Sequence, residues 1–548
     1  MRPNGCAMSD NAAISTLDRE RTLKALESEH FDLAIIGGGI TGAGLARKAA
    51  LSGLSVALLE AEDFASGTSS RSSKLIHGGL RYLAMGEVGL VRETALERKV
   101  IHRLAPHLAE RRWMVLPLRS RAALLKYRAA VTFYEKLGAV DREDLHHNWS
   151  RRDLETEEPL LDRSRYPYAC AFREYLTDDA RLVLANLRAA AASGGRLLNY
   201  APAGSIPVEN GRAAGVDATC ALTGRTVRVR ASCVVNAAGP WVDAVRRMEE
   251  PDAPSQLHLS KGVHVVLPAS RLPLHNILVM TTADGRSIFA IPQRDVVFIG
   301  TTDTTYEHGP QVWPGISAAD VDYLLEPLPR YLSMDALSRS DVTAAWSGLR
   351  PLVAQRGKKP ADISRSDEVL LSPAGVVTVA GGKLTGYRPT VERVLESIAQ
   401  VLGRKLPDVD EPPLPGGDFD GDLARLARSL VEEFGISEGT GARLAKLYGC
   451  EAPAVVRLGA APLAADAPLL SGEIDWGVTQ EGAARLEDVI YRRTRAALYD
   501  PGARDRVVEP AARRMAEILG WNAERISDEV GRTRGRITAD LTFGGTAT

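Results

Sequence analysis

The chain has 548 residues, of which 45% are hydrophobic and 25% charged, so it is long enough for two or three domains with substantial cores. Its 68 Lys and Arg balance 69 Asp and Glu to a formal net charge of -1, which excludes a bulk electrostatic argument for binding nucleic acid. No stretch approaches the roughly 18 apolar residues of a membrane-spanning helix, and the N-terminus lacks the apolar core of a secretory signal.

The five cysteines are far apart, and none forms a CxxC pair or a cluster with histidine at metal-ligand spacing: Cys6, Cys170, Cys220, Cys233 and Cys450. This usage disfavours a zinc site, an iron-sulfur cluster and a disulfide framework, so no metal is predicted. It favours a reducing, cytoplasmic location, with the protein either free or held peripherally on the inner face of the cell membrane.

The first 30 residues predict a tail followed by a short helix over TLDRERTLKALES. The next stretch, FDLAIIGGGITGAG (31–44), is an apolar run that ends in glycines, which is typical of a buried parallel strand that enters a turn. A helix is predicted over 40–51, ending near Gly53, and SVALLE then predicts a second strand that ends at Glu60.

Three glycines in this unit have the spacing of a dinucleotide-binding turn. Gly37 would permit the tight turn, Gly39 would let a pyrophosphate approach the backbone, and Gly42 would let helix and strand pack closely. The phosphates would lie at the positive end of the helix dipole. Glu60 lies where the carboxylate that binds a ribose is expected, although a strand-end carboxylate without that role is the alternative.

No second glycine fingerprint for a nicotinamide nucleotide is present. Instead, CVVNAAGPWVD (233–243) and GVVTVAGGKLTGYRPTVERVLESIA (375–399) are β-branched strands that run into small residues, and the second enters a helix from Thr390. A nucleotide-binding domain whose strands return from so far along the chain would wrap one large cofactor, which favours FAD over NAD. Two separate α/β domains are the alternative.

The segment RSSKLIHGGLRYL (71–83) places Arg71, Lys74, His77, Arg81 and Tyr82 beside a Gly-Gly step. Cations, a titratable imidazole and bare backbone donors so close together predict a site for one small anion.

Seven blocks of the chain, in order, resemble the FAD-dependent glycerol-3-phosphate dehydrogenases, flavoproteins with the D-amino-acid-oxidase type of fold. They are FDLAIIGGGITGAG, DFASGTSSRSSKLIHGGLRYL, TDDARLVLAN, NAAGPWVD, FIGTTD, WSGLRPL and AGGKLTGYR, and the resemblance covers nearly the whole chain. It implies oxidation of sn-glycerol 3-phosphate at its middle carbon to dihydroxyacetone phosphate, with FAD as cofactor and a membrane quinone as electron acceptor.

The resemblance implies an α/β fold class with a discontinuous, Rossmann-like FAD-binding domain over residues 31–105, 175–260 and 345–405. An antiparallel-sheet substrate domain is expected over residues 106–174 and 261–344. Residues 406–418, which include the Pro- and Gly-rich DVDEPPLPGG, predict a linker, and residues 419–548 predict an α-helical C-terminal domain.

The resemblance also assigns cofactor contacts within the matched blocks. The hydroxyl-rich stretch that follows Phe64 would lie along FAD, although a loop that caps the next helix is the alternative. The backbone of residues 382–385 would face the pyrimidine edge of the flavin. The residues expected to contact FAD are Ile36, Gly37, Gly38, Gly39, Thr41, Gly42, Glu60, Thr68, Ser69, Ser70, Ser73, Lys74, Leu75, Ala238, Gly239, Trp241, Gly382, Lys383, Leu384 and Thr385.

A dianionic phosphate needs several cations, preferably planar guanidinium groups that bond two oxygens at once. The resemblance places the candidates near the substrate: Arg81, Tyr82, Arg350, Arg365 and Lys383. Asp367 departs from the family pattern, in which an aromatic residue or histidine follows Arg365 by two positions. A carboxylate there would repel a phosphate, which puts the role of Arg365 in doubt.

Hydride transfer from an alcohol leaves a proton on its oxygen, so a base must lie nearby. His77 and His264 are the imidazoles in matched blocks. We favour His264, because KGVHVVLP predicts a strand of the substrate domain, whereas His77 lies in the loop next to the cofactor. Arg350 could also polarise the developing alkoxide, a role that the sequence does not separate from binding the phosphate.

Residues 119–138 predict a helix in which basic residues alternate with leucines and aromatic residues. Such a helix could rest on an anionic membrane surface, or pack on its own domain with a solvated basic face. Two other activities stay open: a glycerol-3-phosphate oxidase that uses oxygen, and a flavoprotein acting in RNA modification. The sequence also leaves open whether the protein is a homo-oligomer.

Overall fold

A computed structural model describes residues 13–78, 83, 86–354 and 367–544 of the chain. Arg81, Tyr82 and Arg365, all predicted to bind substrate, lie outside the described residues. Two large sheets and a helical C-terminal region make up most of the described chain. None of the helices in these ranges is long and apolar enough to cross a membrane.

The first sheet has eight strands and is built around His30–Ile36, which pairs in parallel with Val56–Leu59 and with Thr226–Asn236. Arg196–Leu198 and Val377–Gly381 extend the parallel part at its two ends. The strands that pair antiparallel are Ala203–Ser205, Gly215–Thr219 and Asp367–Leu371. The parallel strands come from three distant parts of the chain, as expected for a discontinuous nucleotide-binding sheet.

Helices cover the first sheet, so its central strands are apolar on both faces. Ile40–Leu51 packs between Asp179–Ala192 and Tyr387–Leu402, and Arg19–Ser28 packs against Thr226–Asn236. The helix predicted over 40–51 is confirmed. The helix predicted from Thr390 begins earlier, at Tyr387.

The second sheet has ten strands and is antiparallel except where Ile277–Thr281 pairs with Ala109–Leu118. Two strands, Leu75–Ile76 and Ala344–Val353, pair into this sheet although most of their residues fall in ranges predicted for the FAD-binding domain. These two segments, predicted for the FAD-binding domain, therefore contribute strands to the second sheet. The remaining strands are His147–Ser150, Tyr168–Thr177, Leu257–Pro268, Ser287–Gln293, Val296–Gly300 and Thr304–Thr305.

In the described part of the chain, one hairpin and six α-helices lie outside the elements described so far and the C-terminal region. A small antiparallel hairpin joins Val208–Glu209 to Arg212–Ala213. The helices outside the first sheet and the C-terminal region are Val88–Leu104, Arg121–Leu137, Arg151–Glu157, Val242–Arg246, Ala318–Leu325 and Leu328–Tyr331.

The C-terminal region is helical, as predicted, and packs against the second sheet. One apolar core joins Phe298 and Trp346 of that sheet to Ile474 and Leu498 of the C-terminal region. A π-helical turn, Asp488–Arg493, precedes the short helix Ala496–Tyr499. The other helices are Leu423–Phe434, Glu438–Tyr448, Ala452–Leu458, Ser471–Gln480, Pro501–Leu519 and Ala523–Asp540.

Candidate active site

A cavity of about 410 Å³ is lined by residues of both sheets, from the glycine turn of the first sheet to the strand Leu257–Pro268 of the second. It brings together most of the predicted site residues that the structure describes. Those that line it are Ile36, Gly37, Gly39, Thr41, Glu60, Thr68, Ser69, Ser73, Leu75, His77, Ala238, Gly239, Trp241, His264, Arg350, Gly382, Lys383, Leu384 and Thr385.

The glycine turn has the close contacts that a dinucleotide-binding turn requires. Gly37 has a φ of +115°, and a Cβ there would lie 2.5 Å from the carbonyl oxygen of Ala237. A Cβ at Gly42 would lie 1.9 Å from the carbonyl oxygen of Gly37. Gly39 lines the cavity immediately before the helix Ile40–Leu51, so its backbone and the N-terminus of the helix are positioned for a pyrophosphate.

Glu60 lies at the cavity wall and is held by two backbone donors. The N–H of Gly38 donates to its Oε2 at 2.6 Å, and the N–H of Glu62 donates to its Oε1 at 2.9 Å. Burial raises the pKa of Glu60 to about 6 despite these bonds. Each carboxylate oxygen keeps a lone pair, so the group can still accept from the hydroxyls of a ribose.

Two hydroxyls of the predicted cofactor loop fix the loop itself. Thr68 Oγ1 donates to the carbonyl of Leu349 at 2.6 Å, and the N–H of Ile40 donates to Ser69 Oγ at 2.9 Å. Both residues line the cavity. They therefore join the loop to the nucleotide-binding helix on one side and to the second sheet on the other.

Four predicted cofactor residues do not line the cavity: Gly38, Gly42, Ser70 and Lys74. Lys74 is 1% exposed, and its Nζ lies 3.0 Å from Asp179 Oδ1 and donates to the carbonyl of Ser70 at 3.0 Å. Burial lowers the pKa of Lys74 to about 8. The ion pair with Asp179 holds this ammonium group away from the cavity, which differs from the predicted cofactor contact.

Ser73 contacts a catalytic candidate as well as lining the cavity. Its Oγ lies 2.8 Å from Nε2 of His264. The resemblance assigned Ser73 to the cofactor alone, and the structure brings it to the predicted base.

His264 is 1% exposed and tightly packed. Its ring stacks on Trp346, with centroids 4.8 Å apart and planes 11° apart. A Cβ at Gly300 would lie 2.0 Å from His264 Cδ2, so that glycine makes room for the imidazole. Burial, reinforced by the nearby positive charges of Arg350 and Lys74, holds the pKa of His264 well below its usual value. The ring is therefore neutral near pH 7, which leaves a lone pair on one of its nitrogens.

His77 lines the cavity at another point. Its backbone N–H donates to Thr385 Oγ1 at 3.2 Å, and its ring centroid lies 6.2 Å from that of Phe289. This backbone contact joins the loop of His77 to residues 382–385. His77 thus joins the stretch predicted to lie along FAD to the residues predicted to face the flavin.

Arg350 is oriented by the end of the strand Val296–Gly300 and the residues that follow it. Its Nη1 donates to the carbonyl of Thr302 at 3.1 Å, and its Nη2 donates to Thr301 Oγ1 at 2.8 Å. Asp303 forms an ion pair with it at 3.4 Å. A Cβ at Gly262 would lie 2.4 Å from Nη2, so the glycine in the neighbouring strand leaves space for the guanidinium group.

Asp367 forms an ion pair with Arg393 of the helix Tyr387–Leu402. Arg393 Nη2 donates to Asp367 Oδ1 at 2.7 Å, and Nε donates to Oδ2 at 3.1 Å. This pairing compensates the negative charge of Asp367, and the role predicted for Arg365 stays a prediction. Within the described ranges, no group of three or more His, Cys, Asp or Glu side chains is arranged to hold a metal ion.

Sequence reasoning missed several cavity residues. Pro202, Ala203, Val245 and Met248 line the cavity together with Glu60, which is the apolar setting that a flat aromatic ring would require. These four carry no signal of their own, because only the fold brings them to the wall.

Other missed residues did carry a signal. Gly262 lies in the strand Leu257–Pro268 and Gly348 in the strand Ala344–Val353, and both line the cavity. A glycine inside a strand often marks the close approach of another group, which here is the side chain of Arg350 or Arg71.

Two family models match the chain. A model described as FAD dependent oxidoreductase matches residues 32–388, and one described as C-terminal domain of alpha-glycerophosphate oxidase matches residues 409–526. The aerobic glycerol-3-phosphate dehydrogenase of Staphylococcus haemolyticus is 34% identical over 530 residues, which cover 93% of this chain and 94% of that protein. The enzyme of the same name from Staphylococcus aureus (strain MRSA252) is 35% identical over 500 residues, covering 88% and 90% of the two chains.

Two solved structures are similar to this chain. The glycerol-3-phosphate dehydrogenase from Bacillus halodurans, complexed with FAD, superimposes with a TM-score of 0.81 at 32% identity, covering 97% of this chain and 100% of that one. The L-alpha-glycerophosphate oxidase from Mycoplasma pneumoniae has a TM-score of 0.54 at 16% identity over 71% of this chain and 98% of that one, which shows a shared fold.

Proposed function

Because this chain belongs to the family of FAD-dependent glycerol-3-phosphate dehydrogenases, we propose that it oxidises the middle carbon of sn-glycerol 3-phosphate to dihydroxyacetone phosphate and delivers the electrons to a membrane quinone. The observation that carries the proposal is that His264, Arg350 and Lys383 line the same cavity as the glycine turn around Gly37 and Gly39. An imidazole, two cationic side chains and a glycine turn with the spacing of a dinucleotide-binding turn thus line one cavity.

The residues present fit FAD. The turn at Gly37 and the helix N-terminus after Gly39 would hold the pyrophosphate, Glu60 the ribose, and the backbone of Gly382 the flavin. When bound, FAD would accept the hydride from the middle carbon of the substrate. The apolar residues near Glu60 would cover the adenine.

Arg350 and Lys383 would bind the anionic substrate. Arg350 is held by Thr301, Thr302 and Asp303, so its guanidinium group presents a fixed planar face without rearrangement. Lys383 lines the cavity within the glycine-flanked segment that follows Val377–Gly381. Arg81, Tyr82 and Arg365 are proposed to add further contacts on the strength of the resemblance alone.

His264 would take the proton of the substrate hydroxyl. The neutral imidazole has Nε2 next to Ser73 Oγ, and both residues line the cavity. A serine hydroxyl can donate one hydrogen bond and accept another, so the proton can reach Nε2 directly or across Ser73. The negative charge of the bound phosphate would offset the nearby cations and raise the basicity of His264 in the complex.

Delivery to a membrane quinone requires contact with a bilayer, and the helix Arg121–Leu137 supports such a contact. Leu125 is 63% exposed and Phe133 46% exposed, while Arg128 and Lys136 line the same shallow groove with them. Glu135, the acidic residue of this helix, is buried and bonded to His146. The outward face therefore combines apolar and basic side chains, as binding to an anionic lipid surface requires.

Anaerobic addition of sn-glycerol 3-phosphate to the purified yellow protein tests the proposal. The oxidised flavin absorbance should bleach with glycerol 3-phosphate but not with glycerol, which lacks the phosphate. A soluble quinone analogue should then restore the oxidised spectrum. Persistence of the oxidised spectrum contradicts the proposal, and turnover in air with stoichiometric peroxide and no quinone would identify an oxidase.

A further inference from the structure

Arg495, in the C-terminal region, is buried against the start of the helix Asp179–Ala192. It is 1% exposed, and its Nη2 lies 2.8 Å from Asp178 Oδ1 and also contacts Asp179 Oδ1. Its Nη1 donates to the carbonyl of Tyr491 at 3.1 Å. One guanidinium group thus engages both acidic residues at the start of a helix that packs on the nucleotide-binding helix.

Asp179 in turn holds the segment of residues 72–74. Ser72 donates to Asp179 Oδ2 through its N–H at 3.1 Å and through its Oγ at 2.7 Å. Lys74 Nζ lies 3.0 Å from Oδ1. Asp179 is fully buried, so no water competes for these bonds.

The segment of residues 72–74 touches His264 and its stacking partner. Ser73 Oγ lies 2.8 Å from His264 Nε2. Lys74 Nζ lies 4.8 Å from the ring centroid of Trp346, which stacks on the imidazole of His264. A shift of this segment would therefore change the hydrogen bond of His264 and the position of its ring.

The backbone shows that this arrangement is held under constraint. Lys74 has a φ of 56° and Arg495 a φ of 63°, which is the left-handed region that residues other than glycine rarely adopt. Such conformations cost on the order of 1–3 kcal/mol each and persist where the surrounding structure over-determines them. Here both residues bind the same carboxylate, Asp179.

We propose that Arg495 is a positioning residue for the proposed reaction: through Asp179 it holds residues 72–74 so that Ser73 meets His264 Nε2. The C-terminal helical region then has two roles, packing against the second sheet and positioning a residue of the active site. The inference rests on the proposed function for its kinetic part, and on the geometry of residues 72–74 for the rest.

The test compares Arg495→Gln and Arg495→Lys with Arg188→Gln, all as FAD-loaded full-length protein. Arg188 is on the same helix as Asp179 and forms an equally buried ion pair with Glu451 of the C-terminal region, 2.6 Å apart. Arg188 does not line the cavity or contact residues 72–74. Its replacement therefore measures the effect of losing a buried ion pair between the helix Asp179–Ala192 and the C-terminal region, without a change at residues 72–74. For each variant we would measure, between pH 6 and 9, the flavin content, the melting temperature, the visible circular dichroism of the bound flavin and the anaerobic bleaching rate.

In Arg495→Gln, we expect retained FAD, an altered visible circular dichroism spectrum before substrate is added, and a bleaching rate about 10- to 100-fold lower with a changed pH profile. Arg495→Lys should lie between Arg495→Gln and the wild type, because an ammonium group reaches Asp179 without the planar contact to both acids. Arg188→Gln should match the wild type in spectrum and rate.

The proposal is overturned if both Arg495 variants keep the spectra, bleaching rates and pH profiles of the wild type. It is also overturned if Arg188→Gln loses as much of the bleaching rate as Arg495→Gln. If Arg495→Gln fails to fold, Arg495→Lys decides alone, and a wild-type rate in that variant overturns the proposal. Absence of bleaching in the wild type contradicts the proposed function instead. The circular dichroism comparison still decides the positioning role in that case, because it needs no substrate.

Discussion

Ser73 Oγ lies 2.8 Å from Nε2 of His264, although 191 positions separate the two residues in the chain. Ser73 belongs to the loop that follows the nucleotide-binding unit, and His264 to a strand of the second sheet. Their contact joins the loop predicted to lie along FAD to the strand that carries the proposed base.

Replacement of His264 by asparagine should remove the proton acceptor while preserving a polar side chain of similar reach. We expect the rate of anaerobic flavin bleaching to fall by about 10²- to 10⁴-fold, with little change in the apparent Kd for glycerol 3-phosphate. Stopped-flow absorbance at several substrate concentrations separates the two quantities. His258→Asn is the control, because His258 lies on the same strand but outside the cavity. An unchanged rate in His264→Asn would transfer the base role to His77.

Replacement of Gly262 by alanine should displace the guanidinium group of Arg350. The new Cβ would lie 2.4 Å from Nη2 and 2.7 Å from Thr301 Oγ1, so the guanidinium group must leave its contacts with Thr301 and Thr302, and we expect the melting temperature to fall as well. The KM for glycerol 3-phosphate should rise about 10- to 100-fold, as for the loss of a charged hydrogen bond. Steady-state kinetics and a melting curve measure both effects.

Gly204→Ala is the matched control for that substitution. Gly204 also lies in a strand, and its new Cβ would approach the carbonyl oxygen of Asp217 only to 3.7 Å. It should leave KM unchanged. A wild-type KM in Gly262→Ala would show that Arg350 does not bind the phosphate from its present position.

FAD affinity of the apoprotein should depend on pH through Glu60. Its pKa is about 6 in the free protein, and ribose hydroxyls donate to the ionised carboxylate, so binding of FAD would lower that pKa and release a proton below pH 6. Affinity should therefore fall as the pH drops through 6, by up to about tenfold per pH unit. Quenching of FAD fluorescence on titration from pH 5 to 7.5 measures the Kd.

Glu60→Gln should bind FAD more weakly and lose this pH dependence. Glu29→Gln, which changes a half-exposed carboxylate paired with Arg196 just before the first strand, should keep it. The same pH slope in Glu60→Gln and the wild type would assign the proton to another group.

A double substitution, Leu125→Glu with Phe133→Glu, should abolish binding to vesicles that contain anionic lipid. Each side chain is about half-exposed, so its insertion would bury apolar surface worth about 1 kcal/mol, and the new carboxylates are repelled by the lipid. We therefore expect at least about a tenfold loss in vesicle co-sedimentation. Bleaching by glycerol 3-phosphate in solution should be unchanged. Val208→Glu, at a residue 46% exposed on the small hairpin, should bind vesicles like the wild type. Wild-type binding of the double variant would place the membrane contact elsewhere.

The first strand, turn and helix and the helical C-terminal region could be predicted from the sequence, because each depends mainly on residues that are neighbours in the chain. The strand, glycine turn and helix up to Leu51 follow from an apolar run, a positive φ at Gly37 and the absence of a side chain at Gly42. The helical C-terminal region follows from helical stretches that end at Gly435 and Gly449. The strand that contains His264 was likewise predicted correctly.

Contacts across the sheets could not be read in this way. Lys74 was assigned to the cofactor from its place in a matched block, but the structure pairs it with Asp179, since a buried ammonium group is stabilised by a buried carboxylate. Asp367, the departure from the family pattern, is paired with Arg393 of the helix Tyr387–Leu402. Neither partner is marked by spacing in the sequence.

By itself, then, the sequence determined the nucleotide-binding turn, the cofactor class and the family, because backbone geometry at glycines and seven ordered blocks are properties of contiguous residues. Only the tertiary structure decided that Ser73 reaches His264 and that Asp179 links Lys74 to Arg495. The physical reason is that these contacts exist only after strands and helices from distant segments pack around one cavity. Charged and hydroxyl groups buried around the cavity must form hydrogen bonds or ion pairs, and their partners are the groups that packing brings close, whatever their separation in the sequence.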